Sequence, residues 1–250
     1  MKSRGCLAAI ALALASLTAC GSGSDIEDAD LDGALLSVED LGSGFAVDDD
    51  EDEDDGEDDD PDWGCLLDFD EVAPSDSDDE DNDSEIAFSA KEDPGMPGIF
   101  QGVFAAEDVE TAEEGMAEIA DTLDGCDRVD STDDKGNRWQ FDVDFDRSAG
   151  ARGADQQLNL TASGSLTSSL LELPISIAFT VVRVEEAVTL IAFFDMAEDI
   201  AEAHRDVTGA AVERLTAVVE DEALPEREPL LEDYPVGAAL EGLVPPDTDV

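Results

Sequence analysis

The sequence predicts an α+β fold, a mainly antiparallel sheet with two amphipathic helices on one face. Three observations predict it: segments of alternating apolar residues, two segments with apolar residues three or four apart, and connections too short for parallel crossovers. At 250 residues, 42% of them hydrophobic, the chain can form one ordinary domain with its own core. The predicted order is β-β-α-β-β-β-β-α, and the two one-sided helices then cover one face of the sheet.

The first half of the domain contains two strands and a helix. Apolar residues alternate over residues 86–90 and again over 100–104, beyond the turn signal Asp93-Pro94-Gly95. Helical spacing follows over residues 107–124, with one apolar face formed by Val109, Ala112, Met116, Ile119, Ala120 and Leu123. Gly125 ends the predicted helix and leaves Cys126 at its end.

The second half contains a hairpin and a closing helix. Four strands are predicted from alternation or continuous apolar runs, over residues 139–145, 158–160, 174–184 and 187–195. The last two flank Glu185-Glu186, which predicts a hairpin. Residues 198–219 return to helical spacing and complete a domain predicted over residues 34–220.

The amino terminus has the pattern of an export signal. Lys2 and Arg4 precede an apolar stretch over residues 6–17, which is shorter than the ~20 residues of a membrane-spanning helix. The stretch ends in Leu17-Thr18-Ala19-Cys20, which resembles the bacterial lipobox. The resemblance implies a signal peptide over residues 1–19, cleavage before Cys20 and a lipid with two acyl chains on that cysteine. A plain secretory signal with a chance cysteine is the alternative.

The remaining cysteines form one pair. Cys6 leaves with the signal and Cys20 carries the lipid, so Cys65 and Cys126 remain in an oxidising compartment and are predicted to form a disulfide. Such a bond would also hold Trp63-Gly64-Cys65-Leu66-Leu67, an apolar island between two acidic runs, against the domain. Two cysteines and a single histidine make a zinc site improbable.

Several segments are predicted to lie outside the packed body. Residues 20–33 read as a lipidated, flexible tether. Residues 34–45, at the start of the predicted domain, read instead as a short helical turn with Ser37 as N-cap and Gly42 at its end. Two acidic runs, over residues 48–62 and 76–85, are predicted to be solvated loops. The first run has carboxylates at 13 of its 15 positions. A Pro-rich tail over residues 221–250 is predicted to be irregular.

The charge of the chain excludes some partners. Without residues 1–19 it has ten Lys and Arg against 67 Asp and Glu, a net charge of −57. Nucleic acid is excluded as a partner, because its binding depends on cationic side chains. Anionic lipid headgroups also repel such a chain, so membrane attachment is assigned to the lipid anchor. Around Gly56 the acidic run matches a calcium-binding loop poorly, and weak, diffuse binding of divalent cations is left open.

The arrangement as a whole resembles a known family. The lipobox, the opening ALLSVEDLGSGF, the Ala-rich helix ending in Cys126, the hairpin VVRVEEAVTLIAFF and the closing helix are similar to actinobacterial exported proteins with a domain like the extracellular sensor of the kinase PknH. The resemblance implies an α/β fold with a cleft for an unidentified ligand and no known reaction. That sensor has two disulfides, whereas this chain offers one pair. A Mog1/PsbP-like lipoprotein fold is the alternative.

The predicted function is therefore a non-enzymatic one. His204 is the only histidine, no GxSxG sequence accompanies it, and we expect it at the boundary of the apolar face of the last helix. No catalytic residue, metal site or cofactor is predicted. The expected role is a lipid-anchored, extracytoplasmic domain that binds a small ligand or a cell-envelope partner. A lipid or cell-wall carrier with an apolar cavity, and a hydrolase using two carboxylates, are the alternatives.

Overall fold

The structure is a computed structural model that describes residues 28–48, 83–91, 96–133, 136–148, 150–168, 171–197 and 199–235. These residues form four helices: α1 Asp28–Ala34, α2 Val38–Leu41, α3 Val109–Leu123 and α4 Ala201–Val219. They form eight strands: β1 Phe45–Val47, β2 Asp83–Ala90, β3 Gly98–Ala105, β4 Arg128–Thr132, β5 Arg138–Asp146, β6 Gln156–Ser168, β7 Leu171–Val184 and β8 Ala187–Asp195. Among the helices so described, none is long and apolar enough to cross a membrane.

The described strands make one antiparallel sheet in the order β1-β2-β3-β8-β7-β6-β5-β4. The hairpin predicted around Glu185-Glu186 is confirmed, because β7 and β8 pair from Val184 with Ala187 to Ser176 with Asp195. The α+β class and the mainly antiparallel sheet are also confirmed.

The two long helices lie on opposite faces of the sheet, so their predicted placement on one face is wrong. In β8, Leu190 and Ala192 belong to the same core cluster as the buried face of α3, whereas Ile191 and Phe193 belong to the cluster that contains the buried residues of α4. Alternate residues of a strand point to opposite faces. Every residue of β8 is buried. A strand covered on both sides is continuously apolar, as β8 is in the sequence.

The predicted order of elements also omits β1 and β4. The edge strand β4 buries only Val129 among polar residues, and β1 has three residues, of which only Phe45 is buried. A strand that buries a single side chain produces no detectable alternation. Hydrophobic periodicity therefore predicts neither β1 nor β4.

Two of the segments predicted to be unpacked are partly structured. Residues 28–33 of the predicted tether belong to α1, where Leu31 is buried in one cluster with Val103 of β3 and Leu215 of α4. Residues 83–85 of the second acidic run belong to β2. The other residues predicted as tether or acidic loop, apart from Asp48, lie outside the described residues.

The helical turn predicted after Ser37 is confirmed as α2. The Ser37 N–H donates to the Asp40 carboxylate at 2.8 Å, while Ser37 Oγ accepts from the Asp40 N–H at 3.3 Å, which forms a capping box. Gly42 ends the helix with a φ of 127°, a conformation that favours glycine.

A buried ion-pair network joins α2 to α4 and to the segment that follows α4. Asp40 lies 3.2 Å from Arg214 of α4 and 3.4 Å from Arg227, and all three side chains are largely buried. The backbone N–H groups of Leu230 and Leu231 donate to the carbonyls of Asp40 and Leu41. Residues 222–235 thus lack regular structure but are attached to the domain by backbone and side-chain bonds.

Candidate functional site

The residues predicted from the export signal lie mostly outside the described part of the chain. This holds for Cys20, for Cys65 and for the acidic run around Gly56. Cys126 lies three residues after the end of α3, is 3% exposed in the cluster on the α3 face, and is not a free thiol. The Cys65–Cys126 disulfide itself stays a prediction.

His204 is buried between α4 and the sheet, not at the boundary of the apolar face where the sequence placed it. Its side chain is 8% exposed, and Nε2 lies 3.4 Å from Thr180 Oγ1 of β7 and 3.4 Å from Thr208 Oγ1 of α4. Burial lowers the pKa of His204 to about 4, opposed by a hydrogen bond with the Ile191 backbone. The imidazole is therefore neutral near pH 7.

The surroundings of His204 indicate a structural role. Thr180 and Thr208 are only 1% and 4% exposed, so neither hydroxyl can meet a substrate. Thr180 Oγ1 also donates to Asn159 Oδ1 at 3.1 Å, and the Gln157 amide donates to the same oxygen at 2.6 Å. The network continues from Gln157 Oε1, which accepts the N–H groups of Gly150 and Ala151. These hydrogen bonds therefore connect the β5–β6 segment with the face of the sheet that α4 covers.

One pair of described carboxylates that influence each other lies on β2. Desolvation, and then the charge of Asp83, raise the pKa of Glu85. These two residues lie two apart on β2, so they stand side by side on one strand rather than across a cleft. Within the described ranges, no group of three or more His, Cys, Asp or Glu residues could hold a metal ion.

The clearest candidate for a binding surface is an apolar stripe on the hairpin formed by β6 and β7. Register and alternation place five residues on the α3 face of this hairpin: Leu166, Leu171, Leu173, Ile175 and Phe179. All five keep partial or full exposure, and Leu171 is 48% exposed. We call the β6–β7 hairpin the arm and these five residues the arm stripe.

The arm stripe is continuous with the core but is not covered to the same extent. Leu166, Ile175 and Phe179 pack against the cluster that contains the buried residues of α3. On the same face, Phe141, Leu160 and Leu190 are at most 3% exposed. The opposite face of the hairpin is polar at the matching positions except for Pro174, with Thr161, Ser163, Ser165, Thr167 and Glu172. The apolar surface is thus one-sided.

Sequence reasoning missed the arm stripe, although a signal for it was present. Leu158, Leu160, Ala162 and Leu166 hold to even positions, and Leu171, Leu173 and Ile175 to odd ones, on either side of Thr167-Ser168-Ser169. Gly164 interrupts the first series. The weak strand predicted at 158–160 was therefore the beginning of a strand of 13 residues.

Comparison with known proteins gives a likeness to a solved structure. No family model and no curated protein matches the chain. The fold is similar to the crystal structure of the extracellular domain of PknH from Mycobacterium tuberculosis, with a TM-score of 0.38 and 12% sequence identity. The match covers 56% of this chain and 64% of that one, so this chain spans less than two thirds of its length. A likeness at this TM-score carries no argument about function.

Proposed function

We propose that this protein is an extracytoplasmic lipoprotein of an actinobacterial type, held at the cell membrane by lipid on Cys20, with a non-enzymatic domain that binds a small ligand or an envelope partner. The export signal and the lipobox-like Leu17-Thr18-Ala19-Cys20 support the anchor. The sensor-like arrangement of the sequence supports the binding role. The observation that carries the binding role is the arm stripe, because partly exposed apolar residues on one side of a hairpin mark an interaction surface.

A disulfide between Cys65 and Cys126 is part of the proposal. The burial of Cys126 at the end of α3 supports it, because a bond at this position would attach the apolar island to the α3 face of the sheet. Thiol labelling of the exported, denatured protein should then find no reactive cysteine before reduction and two after it. Labelling of both residues without reductant would remove the bond from the proposal.

A carrier of lipid or cell-wall components is less well supported. A carrier needs an apolar cavity. The space between the sheet and α4 is instead occupied by Phe45, Phe88 and Phe193, each fully buried. Mass spectrometry of the purified exported protein distinguishes the two roles. A lipid held at one molecule per chain, in addition to the anchor, would favour the carrier.

Fractionation of cells that express variants with one cysteine replaced tests the lipid anchor. Cys20→Ser should move the protein from the detergent phase to the medium, because it removes the thiol that accepts the lipid. Cys6→Ser is the matched control, since Cys6 lies within the predicted signal peptide and should leave the protein in the detergent phase. Retention of Cys20→Ser in the membrane fraction with an unchanged mass would refute the lipoprotein.

A further inference from the structure

We infer that the arm stripe is a docking surface for a basic amphipathic helix of a partner protein. The inference rests on the proposed binding function and names the chemistry of the partner. Three properties of the described residues carry it: the pairing of β6 and β7, the charge of α3, and the position of the arm relative to α1.

The pairing of the strands decides how a partner can bind. β6 is paired with both β5 and β7 over residues 159–167, whereas β7 is paired with β8 only from Ser176 to Val184, so residues 171–175 of β7 keep a free edge. The stripe extends beyond this free edge to Leu166 and Phe179, so a partner that covers the whole stripe must use the side chains on the sheet face. The stripe from Leu171 to Phe179 is about 26 Å long, at the rise of a β-strand. A helix of about 18 residues has the same length.

The charge of α3 decides the sign of the partner. The helix packs on the same face as the arm stripe, and its exposed side together with its C-cap carries six carboxylates: Glu110, Glu113, Glu114, Glu118, Asp121 and Asp124. No Lys or Arg occurs within α3. Arg147 and Arg183 are the cations paired with these carboxylates, at Asp121, Asp124 and Glu113. An apolar stripe on the same sheet face as this acidic helix is complementary to a helix with an apolar stripe and Lys or Arg flanks.

The position of the arm argues against the bilayer as its partner. α1 lies at the end of the sheet marked by the β7–β8 turn, because Leu31 packs in one cluster with Val184 and Ala187. Leu171 is at the other end of β7, about 43 Å away along the strand. The chain from Cys20 to Asp28 reaches at most about 28 Å. The anchored end and the exposed end of the arm therefore lie at opposite ends of the sheet.

A second copy of this chain is also a poor occupant. Each mature chain has a net charge of −57, so two copies repel one another at moderate salt. The same charge raises the local concentration of a cationic partner. A basic partner with an apolar face can cover the apolar stripe and is attracted by the negative charge of the chain.

Calorimetric titration of the full chain with designed peptides tests the inference. The protein is the Cys20→Ser form, which needs no detergent. The probes are three 18-residue peptides: one with Leu on one helical face and Lys on the other, one with Glu in place of Lys, and one with Ser in place of Leu. We expect the Lys–Leu peptide to bind at one per chain, with an affinity that falls as salt rises, and at least tenfold more tightly than either other peptide.

Variants of the protein separate the stripe from diffuse attraction to the acidic chain. Leu171→Ser with Leu173→Ser should weaken binding of the Lys–Leu peptide at least tenfold, while the unfolding midpoint stays unchanged. Leu224→Ser is the matched control, because Leu224 is 42% exposed outside the stripe, and it should leave the affinity as it was. The inference would be overturned if the stripe variant and the Leu224→Ser control bound the Lys–Leu peptide equally. It would also be overturned if the protein bound the peptide with Ser in place of Leu as tightly as the Lys–Leu peptide. Either result would count even if Cys20 carries lipid. Stripe-dependent binding, together with a wild-type protein that carries no lipid on Cys20, would refute only the anchor.

Discussion

His204 makes the stability of this protein depend on pH in a predictable direction. Burial holds its pKa at about 4, against 6.5 for an exposed histidine. Between these values the unfolded chain binds a proton that the folded chain does not, so the folded state loses stability as the pH falls from 6.5 towards 4. Each unit of pKa difference corresponds to 1.36 kcal/mol, so the difference between 6.5 and about 4 lowers the free energy of unfolding by about 3 kcal/mol.

Urea unfolding of the wild type and of His204→Gln, followed at a series of pH values, isolates this effect. Protonation of the 67 acidic residues also changes stability in this range, but it affects both proteins and cancels in their difference. We expect the free energy of unfolding of the wild type to fall by about 3 kcal/mol relative to the variant between pH 6.5 and 4.

The same titration can be measured directly. The carbon-bound ring protons of the single histidine should titrate with a pKa near 4 by NMR in the folded protein. Parallel stability curves for the two proteins, or a pKa near 6.5 in the folded state, would show that His204 is solvated. The placement of its ring between Thr180 and Thr208 would then be wrong.

Three further predictions concern the fold. Gly164→Ala should lower the free energy of unfolding by about 3 kcal/mol or more, because the added Cβ would collide with Gln140 O and lie 2.8 Å from Phe141 Cα. Gly209→Ala, in the interior of α4 with nothing within 4 Å, should instead raise it by about 0.5–1 kcal/mol, and a loss equal to that of Gly164→Ala would contradict the packing. Asp40→Asn should cost about 3–5 kcal/mol in chemical unfolding, since it leaves Arg214 and Arg227 without their buried anion. The exposed Asp206→Asn should change little, and equal effects would refute the network. Deleting residues 49–62 and 76–82 should leave the melting temperature unchanged or raise it, most at low salt, and loss of a cooperative transition would show that these segments are needed to fold.

The parts of the fold that the sequence predicted are those with long, regular periodicity. α3 and α4 lie within two or three residues of their predicted bounds, and the hairpin of β7 and β8 was predicted with its turn. The opposite placement of the two helices could not be derived by counting one-sided helices. It required attention to β8, whose unbroken apolar run belongs to a strand covered on both faces.

The buried polar contacts were less predictable because their partners are distant in the sequence. Asp40 and Arg214 are 174 residues apart, and no local pattern connects them. His204 was expected at a boundary position, whereas its ring is buried and lies 3.4 Å from Thr180, which is 24 residues away in the sequence. The arm stripe was hidden by Gly164 and by the Ser and Thr residues that alternate with its leucines.

The measurement that tests the central claim most directly is the mass of the mature protein isolated from its own cells. The account predicts a polypeptide that begins at Cys20 and carries a diacylglycerol on that residue. Cys20→Ser should abolish the added mass, whereas Cys6→Ser should not. A chain recovered from the cytoplasm that begins at Met1 and bears no lipid would contradict the account of an anchored, extracytoplasmic binding protein.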